Sequence, residues 1–102
     1  MAKFLFLYAG GQSVETPEDQ EAVMQAWGGW FGGLGESVID IGNPLGGAST
    51  VGADGTSEST SSRLGGYSII NADSLAEATT KTAGCPVLTS GGSVEVYEAL
   101  PM

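Results

Sequence analysis

Tyr8 and Tyr67 stand near the ends of two apolar runs, where a phenol can reach into a cleft while its ring stays packed. Such a group serves as a hydrogen-bond donor or weak acid, or is simply a core tyrosine with a satisfied hydroxyl. Trp27 and Trp30, with Phe31 beside them, offer a flat wall for an aromatic ligand, or the packed side of a helix. Asn43 opens the run Asn43-Pro44-Leu45-Gly46-Gly47, whose amides can hold a small anionic or carbonyl group, or only shape a turn. Arg63 can grip a carboxylate or phosphate with two parallel hydrogen bonds, or pair with a surface acid. Tyr8, Trp27, Phe31, Asn43, Arg63 and Tyr67 are therefore the candidate ligand-binding set. No residue is singled out as catalytic.

Other chemistries lack their residues. The chain has no histidine, the side chain that titrates near neutrality and most often ligates transition metals. No cofactor and no metal are expected, since nothing in the spacing of the acids favours a carboxylate-only site. Glu36 and Asp40 are close in sequence, but no second group makes them an acid and base pair. Cys85 has no base nearby and only Lys81 as a cationic neighbour, so a reactive thiol is not expected. Neither of the glycine-rich phosphate-binding motifs is present.

Charge narrows the partners. Twelve acids against three bases give a formal net charge of −9, which argues against nucleic acid and against anionic membranes, both of which attract basic surfaces. One cysteine cannot form an internal disulfide and fits a reducing compartment, so a cytoplasmic location is expected. The apolar run Phe4 to Ala9 is too short for a membrane span or a signal segment.

The elements that would position these residues fit one domain over 1–102. At this length large internal cavities are hard to build, so a sizeable ligand site is expected to need a second subunit. Lys3 to Tyr8 reads as a central strand covered on both faces. Thr16-Pro17-Glu18-Asp19 supplies a cap, a first-turn proline and acids for a helix starting at Pro17. Val23, Met24, Ala26, Trp27, Trp30, Phe31 and Leu34 fall on one arc of it, a broad buried face. Gly28, Gly29, Gly32, Gly33 and Gly35 fall on the other side, either a bare exposed face or a place of close approach for another backbone. Ser37 to Gly42 is a short apolar piece. Ala48 to Val51 reads as a weak strand, and the polar Thr56 to Ser62 as a long hairpin tip. Gly66 to Asn71 is the next strand, Ser74 or Asp73 caps a second helix running to about Ala83, Cys85 to Leu88 is a connector, and Ser93 to Glu98 is the last strand.

The order strand, helix, strand, strand, helix, strand is the ferredoxin-like βαββαβ plan, an α+β fold with an antiparallel sheet. Two helices cover one face only. The other still carries apolar residues, and pairing two sheets face to face in a homodimer, a dimeric α+β barrel, seals it.

Lys3-Phe4-Leu5-Phe6-Leu7-Tyr8, Leu64 to Ile70, Ala72 to Ala78 and Gly91 to Glu98, in that order, resemble the YCII-related family, in particular a small bacterial branch with Gly42-Asn43-Pro44 and Gly84-Cys85-Pro86. The resemblance implies a dimeric α+β barrel with a cleft between helix and sheet. Its proposed histidine and aspartate pair has no counterpart, because Val87 stands where close relatives often carry histidine, and the family's Asp-Gly-Pro-Phe signature is missing. The expectation is a homodimer that binds a small molecule in that cleft. The alternatives are an enzyme acting on a small aromatic or carbonyl compound without histidine, and a protein-interaction module.

Overall fold

The computed structural model describes residues 2–10, 16–59 and 64–101. Ala2–Ala9 forms strand β1, and Pro17–Leu34 forms helix α1. Thr16 caps that helix as expected, its Oγ1 accepting from the Asp19 N–H at 3.1 Å, with Pro17 in the first turn. A single 3-10 turn at Gly35–Ser37 leads into β2, Val38–Asp40. Two short strands follow, β3 at Ser49–Val51 and β4 at Ser57–Ser59, and then the long strand β5 at Leu64–Ala72. Helix α2 is Leu75–Thr80, a one-turn helix α3 is Pro86–Thr89, and strand β6 is Ser93–Ala99.

The main sheet runs in the order β2-β5-β1-β6, with every neighbour antiparallel. This is the ferredoxin-like α+β arrangement. The second main-sheet strand is the short apolar piece at Val38–Asp40, whereas Ser49–Val51 pairs with β4 in a separate two-stranded sheet. The polar stretch assigned to a hairpin tip thus contains a strand. Its residues 60–62 lie outside the described residues.

The core forms where the helices meet one face of the sheet. Phe4, Phe6, Tyr8, Ile70, Ala72, Ala78, Cys85 and Val87 are buried together, with Trp27, Trp30, Leu34, Val38, Val94 and Val96 packed against them. Each fully buried Phe4, Phe6 or Ile70 side chain contributes about 1.5–3 kcal/mol. Successive strand residues point to opposite faces, so Leu5, Leu7, Tyr67 and Ile69, paired in register across β1 and β5, share the other face and stay half-buried. Within one chain β1 is therefore covered on one face only.

Two sequence expectations for the helices need correction. The arc on α1 is not a buried face: Trp27, Trp30, Phe31 and Leu34 are half-buried, while Val23 and Met24 are exposed. A helical wheel shows which side faces inward, but the core described above reaches only the C-terminal half of α1. Helix α2 stops at Thr80 and does not reach Ala83, giving way to a turn through Gly84. Its cap is Ser74, whose Oγ accepts from the Glu77 N–H at 3.1 Å, while Glu77 Oε2 accepts from the Asp73 N–H. Glu77 also lies 3.7 Å from the Lys81 ammonium, which donates to Ser37 Oγ. The glycines of α1 behave as a bare face within the chain, since a Cβ at Gly28, Gly29, Gly32 or Gly33 would meet nothing within 4 Å.

Candidate functional site

The loop after β2 crosses the start of β5 and fixes the mouth of a cleft. Asp40 Oδ1 accepts from the Gly42 N–H at 2.8 Å, which turns the chain. Gly42 has φ 79, and a Cβ there would collide with the Tyr67 carbonyl, so this residue must be glycine. Beyond it the loop is stitched to β5: the Tyr67 N–H donates to Asn43 O, the Leu45 N–H donates to Gly65 O, and Pro44 bridges Gly66. Gly65 and Gly66 present no side chain at this point, which leaves room between the loop and α1.

The room is a cleft of about 770 Å³, bounded by α1, the 41–44 loop, the start of β5, the end of β1 and α3. Its lining includes Tyr8, Trp27, Phe31, Asn43 and Tyr67, five of the six candidate residues. Arg63 lies outside the described residues. Trp30 does not line the cleft. It stacks on Phe6 at 6.2 Å between ring centroids and meets Tyr8 and Trp27 edge to face. The aromatic wall is Trp27 with Phe31, 5.8 Å apart, and Trp27 stands edge-on to Tyr8 at 4.8 Å. Such aromatic pairs add about 0.5–1.5 kcal/mol each beyond area burial.

Tyr8 is 7% exposed, and its hydroxyl donates to Ser68 Oγ at 2.9 Å; Ser68 in turn donates to the Ile41 carbonyl at 2.6 Å. The chain of donors ties β1, β5 and the loop together and leaves the phenol oxygen only its lone pairs for a ligand. Burial pushes the phenol well above its ordinary value, outweighing the opposite effect of the Ser68 hydrogen bond. Tyr67 reaches the cleft from its rim. Register places its side chain on the face opposite Ser68, and its hydroxyl accepts from Asn43 Nδ2 at 3.3 Å.

Cys85 is fully buried, and desolvation raises its thiol above the ordinary value. Asp40 is committed to its turn, and among the described residues Asp19 is the one charged residue lining the cleft. No group of three or more acids and cysteines among the described residues could hold a metal ion, and no described helix is long and apolar enough to cross a membrane. Sequence reasoning missed Ser68, a lone polar residue at a core-facing position between Tyr67 and Ile69 whose parity was the available signal. It also missed Ile41 and the wall made by Pro86 and Val87 of α3 with Ser90 just after that helix.

Neither the curated proteins nor the solved structures contain a match to the chain. The family model described as the YCII-related domain matches residues 2–102. A helix-covered antiparallel sheet in ferredoxin-like order, matched along its length in this way, belongs to the YCII-related domain family.

Proposed function

We propose that this protein binds a small, uncharged molecule with a planar group in the cleft between α1 and the start of β5, and does so as a homodimer. The observation that carries the proposal is the cleft of about 770 Å³ itself, walled by Trp27 and Phe31 with the buried Tyr8 behind them. Its volume falls in the range of small-molecule sites, which combine apolar walls with a few polar groups that fix orientation. Here those groups are the Asn43 amide and the Tyr8 oxygen.

Binding is favoured over turnover by the state of the polar groups. The Tyr8 proton is engaged with Ser68, and the Asn43 amide and the Tyr67 hydroxyl are engaged with each other. Homodimer formation is favoured by the half-buried Leu5, Leu7, Tyr67 and Ile69 on the helix-free face, joined by Tyr97 at 50% exposure.

A thermal-shift screen against uncharged phenols and aromatic carbonyl compounds tests the site. Ligands should raise Tm by mass action, and Trp27→Leu should abolish the rise. If no compound of this class shifts Tm, the binding proposal is wrong. Light scattering of the eluting peak tests the dimer.

A further inference from the structure

The hydrogen bonds behind the cleft have a direction, and a backbone carbonyl sets it. Tyr8 Oη lies 2.9 Å from Ser68 Oγ, which lies 2.6 Å from the Ile41 carbonyl oxygen. A carbonyl has no hydrogen to give, so the Ser68 hydrogen lies on Ile41 O, and the Tyr8 hydrogen must then lie on Ser68. An N–H at the end of the line in place of that carbonyl would reverse it and free the Tyr8 hydrogen. Surroundings hold the line still: Ser68 is fully buried, Tyr8 nearly so, and the turn beside Ile41 is closed by Asp40 on the Gly42 N–H. Burial also keeps the Tyr8 phenol in its neutral form.

Tyr8 lines the cleft, so what it presents there is an acceptor without a hydrogen. A ligand ether or ketone oxygen set against it places two acceptors face to face beside the apolar wall of Trp27 and Phe31, a costly arrangement away from water. A ligand hydroxyl or N–H finds a partner. The other polar side chains do not make this choice. The Asn43 amide both donates and accepts, and Asp19 is exposed, so water competes for it.

We infer that the cleft selects planar ligands carrying a hydrogen-bond donor, a phenolic hydroxyl or a ring-bound N–H, directed at the Tyr8 oxygen, and discriminates against aryl ethers and ketones that lack one. This selectivity rests on the binding reading proposed above and narrows its ligand class. Tyr8 is then the residue that sets specificity, and Ser68 and the Ile41 carbonyl are the groups that give it its sense.

Three probes that share one ring test this by calorimetric titration of the full chain at about pH 6, where the phenol stays uncharged: para-hydroxyacetophenone, para-methoxyacetophenone and acetophenone. The hydroxyl compound should bind about tenfold more tightly than either of the others. Acetophenone lacks the added methyl group as well as the hydroxyl, so its weakness separates a missing donor from crowding. This comparison needs no variant. In Tyr8→Phe the three constants should converge to within about twofold, and in Ser68→Ala, which frees the Tyr8 hydrogen to donate, the methoxy compound should gain on the hydroxyl compound. Equal constants in the parent overturn the selectivity and leave the binding reading standing. A tenfold preference that persists in Tyr8→Phe assigns the donor to another acceptor and also overturns it. If none of the three binds, the selectivity falls, and the binding reading falls with it when the wider thermal-shift screen is also empty.

Discussion

The Tyr8 hydroxyl and Ser68 Oγ meet at 2.9 Å across 60 positions of sequence, on adjacent strands, and that contact joins the core to the loop that frames the cleft. The two ends of the bond are not equivalent. Tyr8→Phe removes a donor and leaves Ser68 bonded to the Ile41 carbonyl, which should cost about 1 kcal/mol. Ser68→Ala strands the buried Tyr8 hydroxyl without its acceptor and deprives Ile41 of its donor, so it should cost about 2–3 kcal/mol. Urea unfolding midpoints of the two variants, compared at equal slope, measure the difference.

Burial of the neutral Tyr8 phenol also makes stability depend on alkaline pH. A phenol whose folded value is raised binds its proton in the native state after the unfolded state has lost it. The stabilisation is complete below the unfolded value of about 10 and falls with rising pH above it, by about 1.4 kcal/mol per pH unit for one such group. The difference in unfolding free energy between the parent and Tyr8→Phe should therefore be constant to pH 9 and shrink above pH 10. A constant difference throughout would contradict the burial assigned to this phenol.

Glycine substitutions separate two roles. Gly28→Ala adds a methyl group where nothing lies within 4 Å, and in a helix interior it should stabilise the chain by about 0.8–1 kcal/mol. Gly42→Ala forces a positive φ and a collision with the Tyr67 carbonyl, so it should cost more than about 2 kcal/mol and open the 41–44 loop. Thermal unfolding reads both. A loss of stability in Gly28→Ala would mean that a second backbone packs on that face in solution.

Cys85 offers a check on the core. A fully buried thiol with a raised value should resist iodoacetamide at pH 8 in the folded state and react at once in 6 M guanidinium. Rapid labelling of the native protein would show that α3 does not cover it.

Much of the fold is legible in the sequence because it rests on local chemistry. Thr16-Pro17 and Ser74 with Glu77 announce helix starts through groups that bond within one turn, and the bulky run Phe4 to Tyr8 announces the central strand. What escaped depends on distant partners. The Ser-rich arm has no apolar periodicity to mark β4, the exposure of Val23 and Met24 depends on where the core ends beneath α1, and the true wall of the cleft is Trp27 with Phe31 because Trp30 turns to Phe6. Of the five candidate residues that meet at the cleft, Tyr8, Tyr67 and Asn43 stand out in the sequence as chemically able groups near element ends or in a turn, and Trp27 and Phe31 as aromatic side chains on one arc of α1. Ser68, which holds Tyr8 in place, is chemically ordinary, and only the pairing of β1 with β5 gives it meaning.

The two tryptophans provide the most direct test of the cleft as a binding site, because Trp27 lines it and Trp30 does not. The indole N–H resonances are followed by NMR while an uncharged phenol or aromatic carbonyl compound that raises Tm is titrated in. The account predicts a saturable shift of the Trp27 signal with the Trp30 signal moving far less. A shift confined to Trp30, or no shift of either at concentrations that raise Tm, would place the ligand elsewhere and contradict it.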